Sequence, residues 1–149
     1  MEFNVLWQTS RKVWIAYLAV YLCAGFIMNA VGQWLEIAKF ANWWQVISCY
    51  GLYLVPVSLL VKHRSAFDQY LHGLLFLGLL ELGGDTLQTS IPYPGNAIDF
   101  LFTERNFSLA MTLFFAAILP IGNYALGHIL RRLNAESVEQ RQARLNACV

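Results

Sequence analysis

Between Val13 and Gly32 the chain runs for twenty residues without a charge, "VWIAYLAVYLCAGFIMNAVG". As an α-helix such a run covers about 30 Å, the hydrocarbon thickness of a bilayer. Backbone polar groups in lipid must be satisfied within the chain itself, so the run predicts a membrane-spanning helix over 13–32. Two further stretches behave alike. Residues 44–61, "WQVISCYGLYLVPVSLLV", carry Pro56, and residues 107–130, "FSLAMTLFFAAILPIGNYALGHIL", carry Pro120.

Residues 66–87 are the ambiguous stretch. Their uncharged core extends only from Leu71 to Leu80, with Asp68 and His72 before it and Glu81 and Asp85 after it. Charge distribution decides how to count them. If 66–87 crosses, Arg11, Lys12, Lys62, Arg64, Arg131, Arg132, Arg141 and Arg144 share one side, leaving only Lys39 and Arg105 on the other. The positive-inside rule then places both termini in the cytoplasm. A three-span arrangement would scatter these cations over both sides. The expected fold class is therefore an all-α integral membrane protein. It has four transmembrane helices in an N-in/C-in bundle, an outer interfacial loop between helices 3 and 4, and a polar cytoplasmic tail over 133–149. Tryptophans agree, with Trp7 and Trp14 at the inner boundary and Trp34, Trp43 and Trp44 at the outer one, where amphipathic rings are favoured.

Composition supports this reading. Only 13% of the 149 residues are charged and 58% are hydrophobic, against about 25% charged in an ordinary soluble domain. The length suits one domain. A net charge of +1 offers no basic patch for nucleic acid. Cys23, Cys49 and Cys148 have no metal-ligand or redox spacing. The N-terminal segment leads into a full-length span, not a short signal core, so no cleavage is expected. The bilayer is expected to be a plasma membrane or a bacterial inner membrane.

Chemistry centres on "LLELGGDTLQ", Leu79 to Gln88. On a helix Glu81, Asp85 and Gln88 form one polar stripe. Glu81 lies roughly 20 Å into the span and Asp85 near the outer interface. A carboxylate inside a membrane is by default a functional-site hypothesis with a partner to be named. That partner is expected to be Arg105, in an outer loop that also holds Asp99 and the stiff turn "IPYPGN". Three outcomes are open: an ion pair that pins the loop, a polar pocket beneath the loop, or a helix broken at Gly83-Gly84 that exposes both acids. Asn123 is a further ligand-binding or structural candidate, on the same face as Pro120, whose missing N–H predicts a kink near Ala116. Helix packing is expected along the small residues Ala16, Ala19 and Cys23 of the first span and at Gly73 and Gly78 of the third.

His72 and His128 fall at similar shallow depth on consecutive spans, the minimum for bis-imidazole haem or metal ligation. No spacing motif supports it, and no cofactor is expected. Three functions fit these features. One is a polar intramembrane pocket that binds or acts on a lipophilic small molecule, with Glu81 and Asp85 as polar or acid–base groups. Another is a non-catalytic accessory subunit of a larger membrane complex. The third is a proton- or ion-coupled carrier, oligomeric because four helices barely enclose a path.

Overall fold

The computed structural model describes residues 4–87, 90–95 and 107–147 and is 83% helical. A short helix α1 (Asn4–Gln8) precedes α2 (Arg11–Trp34), whose start is capped by the Ser10 hydroxyl accepting the Val13 N–H. The second helical rod is composite: α3 (Trp43–Val46), a π-helical segment (Ile47–Leu54) and α4 (Val55–Val61) follow without interruption. Helix α5 (Ala66–Leu87) begins at Ser65, whose hydroxyl accepts the Asp68 N–H. The last rod comprises α6 (Phe107–Phe115) and α7 (Ile118–Ala147). Three helices, Arg11–Trp34, Trp43–Val61 and Ser108–Arg132, are long and apolar enough to cross a membrane. Helix α5 packs against α6, α7 and α4.

An all-α expectation leaves out one element. Strand β1 (Ala38–Phe40) pairs antiparallel with β2 (Ser90–Pro92), matching Lys39 to Ile91. Both segments follow the ends of long helices, where backbone groups lose their helical partners, and the pairing supplies new ones. Tyr93 N–H extends it by donating to the Ile37 carbonyl at 3.0 Å. The turn expected in "IPYPGN" is present at Pro94-Gly95, with Gly95 at φ 73°. Helix α2 ends in a Schellman-type cap, in which Ile37 N–H donates to Gly32 and Glu36 N–H to Gln33. Glu36 takes the left-handed position, at φ 54°, that glycine usually fills.

The core corrects the small-residue reading of α2. Ala19 and Cys23 are exposed, whereas Tyr17, Tyr21 and Gly25, spaced four apart, are buried. Tyrosine wins that face because its hydroxyl finds buried partners on other helices. Gly25 is required there, since a Cβ at this position would lie 2.5 Å from the ring of Tyr50. On α5, Gly73 meets the backbone of Ala116 so closely that a Cβ would lie 2.7 Å from its carbonyl oxygen.

The kink ascribed to Pro120 is a break between α6 and α7 at Ala116-Ala117. Ala117 N–H turns to the Phe114 carbonyl at 3.3 Å, which frees that of Leu113. The Tyr70 hydroxyl of α5 donates to this freed carbonyl at 3.3 Å. At the opposite end of the fold from the strands, the Lys62 ammonium donates to Thr9 Oγ1 at 3.2 Å and ties α1 to α4. Partial burial there pulls the Lys62 pKa below its ordinary value.

Candidate functional site

Two cavities lie side by side near the strand layer. The first, about 220 Å³, is bounded by the end of α2 and β1 (Met28, Gly32, Lys39), the π segment (Cys49, Tyr50, Leu54), α5 (Leu77, Glu81) and α6 (Met111, Phe115). The second, about 560 Å³, lies between the composite rod and α5, against Trp44, Ser48, Leu52, Tyr53, Gly83 and Leu87. Phe40, Cys49, Leu80 and Glu81 line both, so these four side chains form the partition.

Local geometry explains why a partition forms here. A π-helical stretch is wider than an α-helix and frequent at functional sites. It carries Cys49 and Tyr50 toward the first cavity and Leu52 and Tyr53 toward the second. The Tyr53 hydroxyl donates to the Phe76 carbonyl at 2.7 Å, which fixes the π segment against α5. The return to α geometry comes at Val55, beside Pro56, which has no N–H to give a carbonyl of the preceding turn.

Helix α5 continues unbroken through Gly83-Gly84 to Leu87, so the expected alternative of a broken helix does not occur. Glu81 is half-buried on this helix, roughly 9 Å below its end. Asp85 follows one turn later on the same helix. Its side chain, together with Gln88, Asp99 and Arg105, lies outside the described residues. Lys39 is the cation that the structure brings to the wall of the Glu81 cavity, and its ammonium stands 5.2 Å from the centre of the Tyr93 ring.

Asn123 belongs elsewhere. Its Oδ1 accepts the Tyr17 hydroxyl at 2.8 Å and the Ser58 hydroxyl at 2.9 Å. Its Nδ2 donates to the Ser58 carbonyl at 3.2 Å and to Gln69 Oε1 at 3.0 Å. Tyr21 donates to Ser58 Oγ at 2.7 Å, and Gln69 Nε2 to the Arg64 carbonyl at 2.9 Å. This buried hub joins α2, α4, α5 and α7, and every hydrogen-bonding position of the Asn123 amide is filled. Measured along α5, Gln69 and Glu81 are about 18 Å apart. The hub holds helices together and is separate from the cavities.

Each candidate haem ligand is engaged within its own helix. His72 Nδ1–H donates to the Asp68 backbone carbonyl at 2.7 Å. His128 is exposed and packs edge-on against Tyr124, with ring centres 4.7 Å apart. Among the described residues no group of three or more His, Cys, Asp or Glu side chains could hold a metal ion.

Sequence reasoning found Glu81 and missed Lys39, Cys49 and Tyr50 as wall residues. A signal was present for Lys39, one of the two cations that the expected four-span arrangement leaves on its outer side. No family model matches the chain, and no curated protein or solved structure is significantly similar to it.

Proposed function

We propose that this protein is a four-span membrane protein of a plasma membrane or bacterial inner membrane, with both termini cytoplasmic, that binds or acts on a lipophilic small molecule beside Glu81. One observation carries the reading: Glu81 stands in the partition shared by two largely apolar cavities. Ligand pockets combine apolar walls with a few placed polar groups. An acid within a membrane-embedded helix is retained where it faces the protein interior and a function.

The fourth crossing, by α5, rests on the distribution of Lys and Arg and on the acid's position. Glu81 faces the cavities, which removes the main objection to burying this helix in lipid. Strand β1 forms part of the wall of the first cavity and brings Lys39 to it.

Native mass spectrometry of protein extracted from its own membrane tests this reading. The wild type retains a lipophilic small molecule, and Glu81→Gln retains about tenfold less at an unchanged melting temperature. Equal retention by both proteins would remove Glu81 from the site.

A further inference from the structure

We propose that the larger cavity takes an uncharged lipophile with a carbonyl oxygen, which accepts a hydrogen bond from the side-chain amide of Gln45. This rests on the pocket reading above and adds the chemical class of the ligand and the residue that reads it.

Gln45 is the decisive residue. It lines the larger cavity and is only 8% exposed. Its Oε1 accepts the Asn42 N–H at 2.7 Å, at the start of α3. That bond settles the orientation of the amide, since an amide nitrogen cannot accept an N–H. Nε2 carries two N–H donors, and among the described residues none accepts from them. A buried donor left unpaired is costly, so folded proteins fill it from another group, from water or from a ligand.

The surroundings select what can fill it. The Ser48 hydroxyl gives its proton to the Trp44 carbonyl at 3.1 Å, and the Tyr53 hydroxyl gives its own to Phe76. Among the described residues lining this cavity there is no Lys, Arg or His, so an anionic acceptor would be buried without a cation. A neutral carbonyl meets the donor at no such cost.

Shape agrees. Only residues 62–65 separate α4 from α5, so the two rods run antiparallel. Tyr53 and Phe76 meet at one level through their hydrogen bond. Two turns back along the first rod and two turns on along the second bring Gln45 and Gly83-Gly84 to a common level. A Cβ at Gly83 would meet nothing within 4 Å, so there is open space at this level. From there Leu52, Leu79 and Leu80 continue the wall toward Tyr53 and offer an apolar path for the chain. Leu52 and Leu79 are exposed, which opens the cavity sideways. Its volume of about 560 Å³ suits one small ligand.

Cys49, on the same wall, gives the readout. Protein carrying Cys23→Ser and Cys148→Ser is placed in nanodiscs of ether-linked phosphatidylcholine, which brings no carbonyl of its own. Modification of Cys49 by methyl methanethiosulfonate is titrated with 2-dodecanone, dodecane or dodecanoate, each counted as a mole fraction of the lipid. The ketone is expected to protect at about tenfold lower mole fraction than either of the others. Gln45→Glu keeps an oxygen for the Asn42 N–H and replaces the donor; Gln45→Met removes both. Each should erase the ketone's advantage and leave protection by dodecane unchanged, Gln45→Glu at an unchanged melting temperature. Equal protection by ketone and alkane in the unsubstituted site would mean that water satisfies Nε2: this inference fails and the pocket reading survives. Protection by none of the three contradicts both. A ketone advantage that persists in Gln45→Met overturns the role of Gln45, and an advantage of dodecanoate overturns the neutral class. The ketone's advantage should also survive in ester-linked phosphatidylcholine; its loss there would assign the site to bilayer lipid and overturn a separate ligand.

Discussion

Tyr17 and Asn123 stand 106 positions apart in the chain and share a 2.8 Å hydrogen bond in the buried centre of the protein. The bond joins the first long helix to the last, and Ser58 and Gln69 bring α4 and α5 into the same network. Hydrogen bonds between membrane helices average roughly 0.6 kcal/mol. Asn123→Leu removes four of them and should lower stability by about 2 kcal/mol, read from unfolding in a graded detergent mixture. Tyr21→Phe removes one bond and should cost about a quarter as much. Equal losses for the two variants would contradict the central place of Asn123.

Gly73 and Gly83 lie on the same helix and should respond oppositely to alanine. At Gly73 the new methyl group meets the backbone of Ala116, which moves only if α5 separates from the last rod, so about 1–3 kcal/mol should be lost. At Gly83 nothing lies within 4 Å of the added carbon. There Ala should stabilise the helix by about 0.5–1 kcal/mol. Thermal unfolding of the two variants checks the pair.

Glu36 occupies a left-handed conformation that costs a residue with a Cβ roughly 1–2 kcal/mol. Glu36→Gly relieves that cost but gains backbone freedom in the unfolded chain. The net expectation is a gain of up to about 1 kcal/mol. A loss of stability would mean that the Glu36 side chain contributes more than its backbone strain costs.

Four crossings require Ser10 and Ala135 on one side of the membrane and Gly95 on the other. In a cysteine-free background, Gly95→Cys should react with an impermeant maleimide added outside intact cells. Ser10→Cys and Ala135→Cys should react only after the membrane is opened. Reaction of Ser10→Cys and Ala135→Cys from opposite sides would indicate an odd number of crossings.

The helices were legible because their cause is local. An uncharged run of bilayer length opened by the Ser10 cap leaves little freedom, and α5, whose uncharged core is half as long, is helical over 66–87. The buried face of α2 was not legible. Both faces of a helix in lipid are apolar, so periodicity cannot choose between the alanines and the tyrosines. Register inside the second rod was hidden as well, since hydropathy is blind to whether a carbonyl meets the fourth or the fifth residue onward. The β1–β2 pair is non-local, joining segments 52 positions apart at the Lys39–Ile91 match. Asn123 stood out as a polar residue in an apolar span, but its role depended on Tyr17, Ser58 and Gln69, ordinary residues until the helices packed. Glu81 was visible because a charge there demands a reason. Its neighbours in the partition, Phe40, Cys49 and Leu80, carry no such flag.

Photolabelling in native membranes with an alkyl-diazirine lipophile tests the pocket most directly. Adducts are mapped by peptide sequencing with and without excess unlabelled competitor. Competable adducts on Glu81, Cys49 and Met111, absent from the exposed Ile15 and Ile27, are the predicted result. Adducts spread over Ile15 and Ile27, with none at Glu81 that the competitor removes, would contradict a ligand site in the partition.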